Sequence, residues 1–279
     1  MTDLINRAAE VIAQSDAMVI LAGAGMGVDS GLPDFRGRDG FWKAYPALEQ
    51  TGHSFEEIAN PEAFEKVPEL AWGFYGHRLN LYRNTDPHRG FEILKKWAAS
   101  KPGGYFVYTS NVDGQFQKAG FESERIIECH GSIHYLQSVF GEPASILPAD
   151  GFEIDVDMDT LTAKNLPYHP QNNELLRPNI LMFNDWFWQP HRTDHQAQNY
   201  QAWLKETPAR KRKIALVEVG AGHSIATVRH QSRLIRSRFD ATYIQINPKP
   251  DYKAHITIPM GALEALEAIE QAIQTHQIG

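Results

Sequence analysis

The stretch GAGMGVDSGLPDFRG, residues 23–37, decides how this chain is read. It follows AMVILA at 17–22, a continuous apolar run. Such a run fits a strand covered on both faces, as in a parallel sheet. Glycines at the exit of that strand let a ligand come close to main-chain N–H groups. The geometry cradles phosphate, and several unrelated folds use it, so the rest of the chain has to choose among them.

The spacing departs from the common dinucleotide fingerprint. Gly23, Gly25 and Gly27 give G-x-G-x-G, where that fingerprint needs G-x-G-x-x-G. No acidic residue about 20 positions on closes a second strand. Glu49 is near that spacing but lies in a stretch rich in aromatic residues. A plain NAD dehydrogenase is therefore disfavoured.

Further along, GYFVYTSN at 104–111, RIIECHGSI at 125–133, RPNILMFND at 177–185, KIALVEVGAG at 213–222 and ATYIQIN at 241–247 also read as strands. Helix-period patterns run over 3–15, 87–100 and 261–273. Buried strands alternating with helices predict an α/β fold, a parallel sheet with helices on both faces. Such sheets bind ligands beyond the carboxyl ends of their strands. Polar or glycine-rich clusters stand at those ends, at 23–36, 109–113, 183–185, 220–224 and 247, and this shared position points to one site. Residues 38–86, with short helices expected, and the irregular 134–175 stand apart from the pattern.

The 279 residues carry a net charge of −7, which speaks against nucleic acid as the main partner. One cysteine, Cys129, leaves no disulfide framework and no cysteine-based zinc site within one chain. The opening residues lack the pattern of a secretory signal, and no run approaches about 18 apolar residues. A cytoplasmic protein with no membrane partner is expected.

At this point the chain resembles the sirtuins, NAD-dependent protein deacylases. GAGMGVDSGLPDFRG is similar to their Gly-Ala-Gly…Pro-Asp-Phe-Arg loop. TSNVDGQFQKAG at 109–120 resembles their Thr-Gln-Asn-Ile-Asp…Ala-Gly segment, and ECHGSI at 128–133 their Glu-Leu-His-Gly-Ser. LRPNILMFND at 176–185, VGAGHSI at 219–225 and the Ile246–Asn247 pair fall in the same order along nearly the whole chain. The resemblance implies a Rossmann-like NAD-binding domain of residues 1–37, 87–133 and 177–279. A smaller domain would be built from insertions 38–86 and 134–176. The family's zinc is held by four cysteines that this chain lacks, so no metal is expected. The acidic run at 155–159 fails as a calcium loop, with Thr160 where glycine is needed and Leu166 where the closing glutamate should be.

Carried over residue by residue, the resemblance makes His130 the general base. An ordinary imidazole can take a proton near neutrality. Asn111 falls at the nicotinamide ribose and the water, and Val112 and Asp113 at the nicotinamide pocket. Read alone, Asn111 and Asp113 would serve a turn equally well. Gly23, Ala24, Gly25, Asp34, Phe35 and Arg36 fall beside the phosphates and the cleaved sugar. Gly220, Ala221, Gly222 and Asn247 fall at the adenosine half of NAD, and Phe183, Asn184, Asp185 and Trp186 beside an acyl-lysine protein or peptide. Arg229, Arg233, Arg236 and Arg238 read as the polar face of a helix.

The implied reaction displaces nicotinamide from NAD with the acyl oxygen and yields free lysine and O-acyl-ADP-ribose. Two departures bear on it: Ser110 stands where the family has glutamine, and Asn184–Asp185 where it has Gly-Glu. A side chain in place of that glycine would alter the peptide channel. NAD glycohydrolysis, ADP-ribosyl transfer and a non-catalytic NAD or ADP-ribose sensor therefore stay open as alternatives.

Overall fold

A computed structural model describes residues 1–33, 54–140, 146–209, 212–222, 226–251 and 253–278. The run AMVILA forms β1 (Ala17–Ala22), every residue of it buried. It pairs in parallel with β2 (Tyr105–Thr109) on one side and β9 (Ile214–Val219) on the other. Outward from β2 lies β3 (Ile126–Glu128), and outward from β9 lie β10 (Ala241–Ile246) and β11 (Ile256–Ile258). The six-stranded order is β11-β10-β9-β1-β2-β3, parallel throughout. The chain winds one way from β1 and the other way from β9, so the order reverses between these two strands. That switch point is where such sheets open a crevice.

Successive β1 side chains serve two cores, because strand residues alternate faces. Met18, Ile20 and Ala22 pack with α1 (Thr2–Gln14), α5 (Arg89–Ala99) and α9 (Ala262–Ile278) through residues such as Ile12, Trp97 and Leu266. Ala17, Val19 and Leu21 pack with α7 (His191–Ala209) and α8 (Thr227–Arg238) through Tyr200, Trp203 and Ile235.

A third core lies apart from this sheet. It joins α2 (Phe55–Ile58), α3 (Pro61–Lys66) and α4 (Pro68–Asn84) to an antiparallel sheet of order β5-β4-β8. Those strands are β4 (Gly131–Ser138), β5 (Leu147–Pro148) and β8 (Leu176–Ile180). A short hairpin, β6 (Val156–Asp157) and β7 (Thr162–Ala163), lies against α4. A Cβ on Gly73 would lie 1.9 Å from the Leu161 carbonyl oxygen, so only glycine lets the hairpin seat there. Asn80 donates to the Ile154 carbonyl, and Arg83 to those of Phe152 and Ala149.

The structure corrects the strand expectations in two places. RIIECHGSI is two strands in two sheets, β3 and the start of β4. RPNILMFND is a strand only to Ile180, and it pairs antiparallel with β4 outside the parallel sheet. Position 183–185 is therefore not a carboxyl end of the six-stranded sheet. β11 and α7 carry no pattern strong enough to be foreseen. Among the described residues no helix is long and apolar enough to cross a membrane.

Candidate active site

Two glycine turns meet at the switch point. Gly23 N–H donates to the Val219 carbonyl and Gly25 N–H to that of Gly220, each at 3.0 Å. A Cβ on Gly23 would lie 2.7 Å from Gly220 O, and one on Gly25 2.8 Å from Gly220 Cα. Gly23, Gly25 and Gly220 are thus required by the facing turn's backbone, a reason separate from ligand approach.

Beside them, β2 ends in a braced turn. Ser110 N–H donates to Ala22 O at 3.1 Å. Thr109 Oγ1 accepts from Asn111 N–H at 3.0 Å, and Asn111 Nδ2 donates to Gly23 O at 3.0 Å. With its amide group spent in this way, Asn111 keeps one acceptor. Its Oδ1 is buried and takes no hydrogen bond among the described residues. An orphaned buried acceptor costs about 1–3 kcal/mol unless something donates to it. Asp113 Oδ1 accepts from Gln115 N–H at 2.9 Å, opening the short helix α6 (Gln115–Lys118).

His130 stands between the two sheets, after β3 and before β4. Gly131 takes φ 76°, and a Cβ there would lie 2.0 Å from Asn179 O, so the chain can turn here only with glycine. The segment before it is held by the first turn of α7. Glu128, 1% exposed, is ion-paired with Arg192, whose guanidinium lies 4.1 Å over the Tyr135 ring. Gln196 Oε1 accepts from Glu128 N–H at 3.0 Å. Leu181 N–H donates to His130 O at 2.9 Å, and Thr227 Oγ1 lies 3.4 Å from His130 Nε2.

These segments enclose a cavity of about 310 Å³. Ala24, Asn111, Val112, Asp113 and His130 line one side, with Leu32 and Pro33. Phe55, Ala59, Tyr75, Arg78 and Tyr82 line another, and the run Ile180–Phe183 a third. Arg78 is the residue that sequence reasoning missed. Its Nη2 donates to the Tyr82 hydroxyl at 2.8 Å, and its guanidinium lies 5.3 Å from the Phe74 ring and 5.8 Å from that of Tyr75. Burial pushes the Tyr75 phenol up to about 12 and holds His77 below the ordinary imidazole range, with Arg78 adding to the latter. A cation among Trp72, Phe74, Tyr75, Leu79 and Tyr82 was the available signal.

The residues expected beside peptide divide. Phe183 lines the cavity, its ring edge-on to Phe55 at 5.8 Å. Asn184 takes φ 53°, left-handed backbone that glycine favours and that asparagine tolerates. The replacement therefore keeps the glycine-like path. Asp185 is not part of the cavity wall and makes a fully buried pair with Arg177 at 2.8 Å. Its carboxylate also accepts from Met182 and Phe187 N–H, each at 3.2 Å. It shapes the loop. Trp186 is 91% exposed, outside the cavity wall.

Gly220, Ala221, Gly222 and Asn247 lie past the ends of β9 and β10, with Asn247 Nδ2 donating to Ala221 O at 2.8 Å. They are not part of the cavity wall. Asp34, Phe35 and Arg36 fall outside the described residues. Among the described residues no three of His, Cys, Asp and Glu are grouped to hold a metal ion, and the chain has one cysteine. Those residues do not fit a four-cysteine zinc.

The Sir2 family profile matches residues 23–202. This chain belongs to the Sir2 family. An NAD-dependent protein deacylase of Thermococcus sibiricus is 33% identical over 185 residues. That match covers 65% of this chain and 66% of the relative, slightly under two thirds of its length. NAD-dependent protein deacylase 1 of Caldanaerobacter subterraneus subsp. tengcongensis is 26% identical over 265 residues, 94% of this chain and 96% of that one. A solved complex of a Sir2 homologue with NAD superposes with a TM-score of 0.70 at 23% identity, covering 96% of this chain and 94% of that one. A second structure, of a Sir2 protein bound to a propionylated peptide, gives 0.64 at 20%, with 97% of each chain covered. These two likenesses establish the fold.

Proposed function

We propose that this protein is an NAD-dependent protein lysine deacylase that releases nicotinamide and O-acyl-ADP-ribose. The carrying observation is that Asn111, whose buried Oδ1 takes no hydrogen bond among the described residues, and His130 line one cavity beside the switch point. A ribose hydroxyl or a water would satisfy Asn111. NAD supplies the glycosidic bond whose cleavage drives the reaction. Asn111 orients, Val112 and Asp113 bound the nicotinamide side, and His130 takes a proton from a ribose hydroxyl. Gly23–Gly25 serve the phosphates, and Gly220–Gly222 with Asn247 the adenosine half. Relatives bearing the deacylase name support the reading.

Arg78 supports a reading of the acyl class. A guanidinium on the cavity wall suits an acyl group that itself ends in a carboxylate, which it can meet in a charge-assisted bond. The 149–154 segment is held to α4 by Asn80 and Arg83 with no metal, so activity is expected to survive a chelator.

The test incubates the protein with NAD, with and without acyl-lysine peptides of several acyl types, in the presence of a chelator. Peptide-dependent nicotinamide release with O-acyl-ADP-ribose supports deacylation. Release without peptide assigns glycohydrolysis instead, and binding without turnover assigns a sensor.

A further inference from the structure

Arg229 is grouped by the sequence with Arg233, Arg236 and Arg238 as the wet face of α8. The structure separates it from them. Arg229 is 4% exposed, whereas the Arg233 side chain is 50% exposed. A buried guanidinium is costly unless charge and donors are met. Here three segments meet the charge at once. Nη2 donates to Ala221 O at 2.9 Å, Nη1 lies 3.4 Å from Asp251 Oδ2, and Nε lies 3.9 Å from Glu218 Oε1. Glu218 is fixed in turn by the hydroxyls of Ser232 and Tyr243 and by Gln245 Nε2.

The Ala221 carbonyl thus carries two side-chain donors, Arg229 Nη2 and Asn247 Nδ2. A trans peptide is planar, with C=O and N–H opposed. Pinning that oxygen inward turns the next N–H, that of the exposed Gly222, the other way. The same guanidinium holds Asp251, in the connection between β10 and β11 that begins at Asn247. Two loops that reach the cofactor side are therefore fastened to one buried arginine.

We infer that Arg229 is a positioning residue for the adenosine half of NAD: it holds the turn 220–222 and the loop after Asn247 in register and presents the Gly222 N–H outward. This rests on the reading above that these two loops receive that half.

The test compares the full chain with Arg229→Gln, Arg229→Lys and Asp251→Asn. ADP-ribose and NAD affinities are read by calorimetry. Steady-state constants and melting temperatures are measured on the same proteins. Loss of a charge-assisted bond predicts roughly tenfold weaker ADP-ribose binding and an equal rise in KM for NAD in Arg229→Gln. The kcat at saturating NAD and the KM for peptide stay within about twofold of the parent. Arg229→Lys falls between, and Asp251→Asn moves in the same direction as Arg229→Gln. If Arg229→Gln does not fold, Asp251→Asn decides alone. Unchanged affinity in a folded variant overturns the inference. So does a fall in kcat and melting temperature together with a rise in both KM terms, which makes Arg229 a brace of the fold. If the unaltered protein binds neither NAD nor ADP-ribose, the premise fails first.

Discussion

Arg78 and His130 face the same cavity, and each sets a different property of it. His130 stands at a sheet-to-sheet turn that only Gly131 permits, with its flank locked by Glu128 and Arg192. Arg78 brings a positive charge among the rings of Phe74, Tyr75 and Tyr82. Replacing it by methionine keeps the length and removes the charge. Arg78→Met is expected to lower kcat/KM roughly 10- to 100-fold for a succinyl-type peptide, the worth of a charge-assisted bond. The acetyl peptide should change by less than about threefold. A matched loss on both peptides in steady-state assays would remove Arg78 from acyl selection.

At the scale of elements, the loop from Met182 to Phe187 is built around the Asp185–Arg177 pair. Both side chains are fully buried, and two loop N–H groups end on the carboxylate. Removing one partner strands the other, which costs about 3–5 kcal/mol in such pairs. Asp185→Ala should show that loss in denaturant unfolding, and KM for peptide should rise while NAD affinity holds. A loss below about 1 kcal/mol would mean that the pair does not shape the loop. The sequence carried the elements unevenly for the same kind of reason. β1, β2, β9 and β10 were legible because strands buried on both faces must be apolar throughout. The break inside RIIECHGSI was not, since a left-handed glycine between two sheets looks like any glycine in a strand. Arg229 was misplaced because a charged residue reads as exposed, and only tertiary partners reveal a buried pair, as they do for Asp185 and Arg177. Arg78 was passed over because it falls in 38–86, a stretch read only as short helices standing apart from the strand-end clusters.

For the whole molecule, burial holds His77 and His134 below the ordinary imidazole range. The folded state then binds fewer protons than the unfolded chain as pH falls through about 6.5 and below, so stability rises with pH there. The lowered carboxylates Asp251 and Glu270 act with the same sign, but at more acid pH. Thermal melts from pH 7.5 to 5.5 should show a falling midpoint, and a flat or rising one would contradict the burial of these imidazoles.

All of this depends on separate segments converging so that NAD lies with its glycosidic bond beside His130. His130→Ala tests that convergence most directly, by rate and by binding on the same protein. Deacylation is expected to fall at least about 100-fold, as for loss of a general base, while NAD affinity stays within a few-fold. A variant that deacylates at near-normal rate would contradict the account.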